Sequence, residues 1–218
     1  STGNGAVNGT ADTKFQVKFT SNSTNLSGNN DTVRKYAEKA LLKDDSKRIW
    51  NATVIVVTNF KTRAGTCNNS WLRNNGCDYG QAFAIAYSAL GRDDEEFKGI
   101  IRHEASGHGF GKLGDEYTST LYYPDPAGPW DQLASYHDLG ISRNIDKFVK
   151  ESTYTKYNGA YPLTGPSNVY WKSLFGTANN YESSEGLGVF EGANGLHSDF
   201  CRPTENGTKS IMNSNNGI

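Results

Sequence analysis

Phe15, Val17 and Phe19 alternate with polar residues, the period of two that marks a half-buried strand. A polar stretch follows, and then Val33, Tyr36, Ala37, Ala40 and Leu41 recur at helical spacing. They predict a helix over residues 32–43, with Asp31 as its cap, because a carboxylate there accepts from free first-turn N–H groups. Residues 53–58, Thr-Val-Ile-Val-Val-Thr, form a β-branched apolar run that predicts a central strand covered on both faces. Residues 62–80 read as loop. The run Ala-Phe-Ala-Ile-Ala-Tyr at 82–87 predicts a second strand, with a helix as the alternative for so short a segment. Gly91 opens a turn into another helix. Asp93 and Glu96 make a capping-box-like pair there, and the acidic run suits the positive end of the helix dipole. Phe97, Ile100, Ile101 and Glu104 continue at three- and four-residue steps, so this helix should run to about Gly109 and break in Gly109-Phe110-Gly111.

Beyond residue 117 the periodicity weakens. A helix is expected at 130–137 after Pro129, and a buried aromatic segment at 169–175. The last forty residues read as largely irregular. Strands and helices interleave in the first half only, which predicts an α/β (α+β) fold with a twisted mixed sheet and a loop-rich C-terminal lobe. Residues 1–13 are small and polar and read as a linker or trimmed start. Residues 14–218 read as a single domain, and the absence of an initiator Met suggests part of a longer precursor.

Composition narrows the function classes. Only 35% of the 218 residues are hydrophobic but 12% are aromatic, so the core should lean on Tyr, Phe and Trp. A net charge of −1 gives no electrostatic reason to expect nucleic acid or acidic lipid as a partner. No apolar run reaches the roughly 18 residues of a membrane span. Of three cysteines, Cys67 and Cys77 stand ten apart in a Gly- and Asn-rich stretch. They either close a loop as a disulfide in an exported protein or, with Cys201, are three unrelated thiols.

The candidate chemistry lies in His103-Glu104-Ala105-Ser106-Gly107-His108. Two imidazoles around a carboxylate on a helix are the parts of a zinc hydrolase: neutral nitrogen ligands and a base for the attacking water. The familiar spacing is H-E-x-x-H, with histidines four apart. Here they are five apart. At about 100° per residue, four residues differ by about 40° and five by about 140°, so a regular α-helix would turn the two imidazoles away from one metal. A wide π-type turn absorbs one extra residue, and Gly107 gives it a permissive backbone. Otherwise the helix must end at Gly107. The same H-E-x-x-x-H spacing resembles that of dipeptidyl peptidase III. A third ligand is needed, and Asp115 is favoured, with Glu116 second and His137 and His197 as outside candidates.

The segment Gly111-Lys112-Leu113-Gly114-Asp115-Glu116-Tyr117 resembles the Gly-x-Leu-x-Asp-Glu-Tyr stretch that follows the His-Glu motif in the IgA-peptidase family of bacterial zinc metallopeptidases. Trp171-Lys172, the segment from Gly188 to Ala193, and Arg202-Pro203-Thr204-Glu205-Asn206 leading to Met212 are similar to later elements of that family, in the same order. The inserted residue in the histidine motif and a Gly-Thr-Lys insertion before Ser210 depart from it. The resemblance implies a metzincin-like fold with Met212 in a Met-turn beneath the metal. It also implies a secreted or cell-surface bacterial setting and cleavage of a protein or peptide substrate.

These residues lead to a zinc endopeptidase in which His103, His108 and Asp115 hold Zn and Glu104 acts as general base. Two alternatives stand beside it: a non-catalytic, peptidase-like binding domain, and a zinc exopeptidase.

Overall fold

A computed structural model describes residues 13–20, 24–40, 49, 51–69, 83–117, 137–138, 140–147, 169–171, 187–193, 197–204 and 210–212. It is a mixed α+β structure with small sheets and few helices. The chain divides into two compact units, Ser1–Lys112 with Asn215–Ile218, and Leu113–Ser214. No helix among the described residues is long and apolar enough to cross a membrane.

The first unit opens with two short paired strands, β1 (Lys18–Phe19) and β2 (Leu26–Ser27), then helix α1 (Asn30–Ala40). The periodicity of α1 holds, with Val33 and Ala37 buried. Its cap is Asn29 rather than Asp31: Asn29 Oδ1 accepts from the Thr32 N–H at 3.0 Å, and Asn29 O accepts from Val33 N–H. The helix therefore starts earlier than expected, and its expected end lies outside the described residues. The alternation at Phe15 to Phe19 yields only a two-residue strand, since the chain turns at Gln16 with φ of 50°, although Val17 and Phe19 are buried as expected.

Three strands form the main sheet in the order β3 (Thr53–Thr58), β5 (Ala84–Ala89), β4 (Gly65–Asn68). β3 runs parallel to β5, and β4 runs antiparallel to it. Alternation along β5 gives the two faces different sizes. Ile85, Tyr87 and Ala89 join Val33, Ala37, Leu26 and Val56 in the larger apolar core, and Tyr87 donates to Asn30 Oδ1 at 2.6 Å. The opposite face is Ala84, Ala86 and Ser88, with Gly65 and Cys67 beside them on β4. Side chains this small let a helix approach closely.

That helix begins as α2 (Asp94–Ile100) and continues without a break as a π-helix, Ile101–Phe110. It packs against β5, β4 and β3. Two sequence expectations change here. β5 is the central strand, while β3 lies at the edge of the described sheet, with Ile55 and Val57 45% and 50% exposed. The helix sits over the small residues of β5 and reaches β3 at Thr53, against which Gly109 packs, so the far end of that face stays uncovered. The stretch read as loop from 62 contains β4, whose Gly-Thr-Cys-Asn sequence carries no apolar alternation and becomes a strand by pairing with β5. Cys67 is a free thiol on this strand, and Cys77 lies outside the described residues.

The second unit is built on an antiparallel sheet in the order β6 (Asp146–Lys147), β8 (His197–Thr204), β7 (Leu187–Ala193). The expectation of an irregular C-terminal stretch is thus wrong for β7 and β8. Their sequences hide the pairing: β7 carries two glycines and Glu191, and its register with β8 shifts on either side of Phe190 and Glu191. Gly192 adopts φ of 91° at the second shift, a backbone that suits glycine. Pro203 sits in β8 beyond its two pairs with β6, where no N–H is asked of it. Ile145, Ala193 and Phe200 form an apolar cluster, with Val189 and Met212 fully buried in the same unit. Of the aromatic segment expected at 169–175, Val169 and Trp171 are buried and Tyr170 is 45% exposed. The helix expected at 130–137 lies outside the described residues except for His137, helical with Asp138.

A candidate metal centre on a π-helix

The site starts at a helix cap. Asp93 has an extended backbone, and its carboxylate accepts from the Glu96 N–H at 2.9 Å. Glu96 does not close the reciprocal half of a capping box. Its carboxylate takes the Arg92 N–H at 2.7 Å and the Arg92 guanidinium instead. Those contacts, hydrogen bonding first, hold Glu96 below the usual carboxylate range.

From Ile101 the turns widen to the i→i+5 pattern, which the Gly111 N–H to Ser106 O bond at 2.8 Å carries to the helix end. Widening changes which residues share a face. Residues five apart now come together, so His103 and His108 stand with ring centroids 4.8 Å apart and planes at 87°. The donor atoms of His103, Glu104 and His108 all lie within 4.8 Å of one another. His103 and Glu104 are buried and His108 is half-buried. Nitrogens on one tetrahedral zinc, each about 2.1 Å from the ion, stand roughly 3.4 Å apart. The present spacing is within reach of small side-chain rotations, and two imidazoles with a carboxylate are a donor set that suits zinc and several other divalent ions.

β4 shapes this group from below. An added Cβ on Gly65 would lie 2.7 Å from Glu104 Cγ and Oε1, so the absence of a side chain there makes room for the carboxylate. Cys67, two residues on, has its thiol pushed up to about 12, by burial first and then by the negative charge of Glu104, with Lys112 opposing. In the metal-free protein it is therefore a neutral S–H at physiological pH. That S–H donates to Asn69 Oδ1 at 3.4 Å, and Asn69 Nδ2 donates to His108 O at 3.3 Å. Lys112 is buried, and burial holds its amine below the usual lysine range. Its Nζ donates to Gly109 O.

Asp115 and Glu116 belong to the second unit. Gly114 packs so closely on Ile145 that a Cβ would fall 2.5 Å from Ile145 Cδ1. Asn144 brackets it, accepting from Gly114 N–H at 2.7 Å and donating to Gly114 O at 2.8 Å. Glu116 is buried. Its Oε1 accepts from Asn144 Nδ2 at 2.9 Å, its Oε2 accepts from the Thr204 hydroxyl, and its N–H donates to Met212 O at 2.9 Å. Both oxygens of Glu116 thus serve the interior of its own unit, which sets it apart from Asp115. The Asp115 carboxylate is half-buried and accepts from Tyr117 Oη at 3.2 Å.

His137 is buried, with Nε2 on Ser142 O at 3.1 Å and its ring edge on Tyr170 at 4.6 Å. Facing a carbonyl, that nitrogen is a donor and is already used. The side chain of His197 lies outside the described residues. Arg202 donates to Glu191 O at 2.6 Å and Gly192 O at 2.5 Å and holds the irregular turn of β7. Trp171 Nε1 donates to Gly188 O at 2.9 Å. The later motifs noted in the sequence are therefore hydrogen-bonded to one another within the second unit.

The His-Glu-x-x-x-His motif pointed to His103, Glu104 and His108, and helical periodicity alone did not. It gave no signal for Gly65 or Asn69, which sit in a polar stretch, and none for Lys112, an ordinary basic residue by pattern. No protein-family model matches the chain, and a search of curated proteins returns no match.

Proposed function

We propose that the chain is a zinc-dependent endopeptidase. The observation that carries this is the convergence of His103 and His108 beside Glu104 on a π-helix. Their five-residue spacing would count against a shared metal in a regular α-helix, and the wide turn answers that geometric objection. His103 and His108 would hold the ion, with Asp115 proposed as third ligand solely by its place in the Gly-x-Leu-x-Asp-Glu-Tyr motif. Zinc bound by these residues would supply Lewis acidity towards a peptide carbonyl and a bound water.

The protein's own groups do the rest. Glu104, seated on Gly65, takes the proton of the attacking water and returns it to the leaving amine. His108 is half-buried and His103 buried, so His108 is the more accessible of the pair. Resemblance to the IgA-peptidase family supports a metzincin-like arrangement and a secreted or cell-surface setting. The packing of the helix that carries His103 and His108 on the mixed β3–β5–β4 sheet supports that reading.

Wild type and Glu104→Ala are compared for zinc content and for cleavage of peptides blocked at both termini. Zinc in both, with cleavage lost by roughly 100-fold or more in the variant, is expected for a general base. Equal cleavage removes Glu104 from the mechanism. Activity confined to peptides with a free terminus replaces the endopeptidase with an exopeptidase.

A further inference from the structure

The last carbonyls of a helix have no partner within its own ladder and must find one elsewhere. In the π-helix two side chains supply it to consecutive residues. Asn69, just past β4, donates Nδ2 to His108 O at 3.3 Å, and Lys112 donates Nζ to Gly109 O. The Asn69 amide is itself oriented by the Cys67 S–H on its Oδ1. Lys112 makes its bond from φ of 56°. That is the left-handed position where glycine ordinarily ends a helix, and a lysine occupies it while buried.

We propose that Asn69 and Lys112 are positioning residues, which hold the C-terminal end of the wide turn and thereby keep His108 in register with His103. π-Helical hydrogen bonding is rare and short-lived in sequence. A return to α-helical winding would turn residues five apart away from each other by about 140°. A donor on each of two successive carbonyls fixes the end of the helix while the wide register is kept. The inference rests on His103 and His108 being metal ligands, as proposed above.

The test is zinc affinity, measured by chelator competition on the full chain, together with the electronic spectrum of the cobalt-substituted protein. Lys112→Gly is the informative variant, because glycine is at home at this φ and the donor is lost. Asn69→Ala tests the second donor independently. Each is expected to bind zinc about 10-fold more weakly, within the range for losing an outer contact to a ligand, and to show an altered cobalt spectrum. Lys112→Arg, which keeps a donor, is expected to stay within about threefold of wild type. Unchanged affinity and spectrum in Lys112→Gly or Asn69→Ala, or a loss in Lys112→Arg as large as in Lys112→Gly, overturns the proposal. His108→Ala is the control that separates the two levels. Zinc retained by that variant contradicts the metal centre itself, whatever the capping variants do.

Discussion

Gly65 decides where the candidate base stands. A methyl group there would press on Glu104 Cγ and Oε1 at 2.7 Å and on Ile100 Cγ2 at 2.9 Å. Glu104 is buried, so its carboxylate has little freedom to step aside without leaving the imidazoles. Gly65→Ala is therefore predicted to lower kcat roughly 10- to 100-fold, part of the range that a general base contributes. Zinc content should stay close to wild type, because neither histidine touches the added methyl in this way. Metal analysis beside steady-state kinetics checks it, and loss of zinc together with activity would place the effect on the ligands instead. At this scale the sequence showed which residue types carry the chemistry but not what they rest on. Gly65, Asn69 and Lys112 lie in polar or mixed surroundings, and their roles arise only from pairing of β4 with β5 and from the local backbone at the helix end.

The α2–π-helix element depends on close approach to the sheet. Ala84, Ala86 and Ser88 on β5 are fully buried and small, and Gly109 meets Thr53 so closely that a Cβ would lie 2.5 Å from Thr53 Cγ2. Gly109→Ala is predicted to destabilise the protein by about 1–3 kcal/mol, the usual cost of overpacking. Thr53→Ala should recover most of it when combined, because it removes the atom that clashes. Denaturant unfolding of the two single variants and the double variant measures the coupling, and additive effects would show that helix and strand do not meet there. Elements with strong periodicity were legible in advance: α1 through Val33 and Ala37, and the Asp93-capped helix to about Gly109. The five-residue histidine spacing was legible as a demand that the helix either widen or end at about Gly107, and it widens. β4 and the β7–β8 hairpin were not legible, since pairing rather than apolar alternation makes them strands. β3 was misjudged as central because a β-branched run does not reveal which neighbour carries the small side chains.

Across the whole chain, the first unit carries His103, Glu104 and His108, and the second carries Asp115, Glu116 and Met212. Within the second unit Glu116 ties the Asp-Glu-Tyr segment to Thr204 of β8, to Asn144 and to Met212 O, while Arg202 ties β8 to β7. Motifs that are far apart in sequence are thus held together by hydrogen bonds within one unit. The α+β class followed from the interleaved first half, whereas the sheet of the second unit had no periodic signature. The central claim is that His103 and His108 bind one zinc ion. X-ray absorption at the zinc edge of the zinc-loaded protein tests it most directly. Two imidazoles per zinc at about 2.0–2.1 Å, with the remaining ligands oxygen, is the predicted result; one imidazole or none would contradict it.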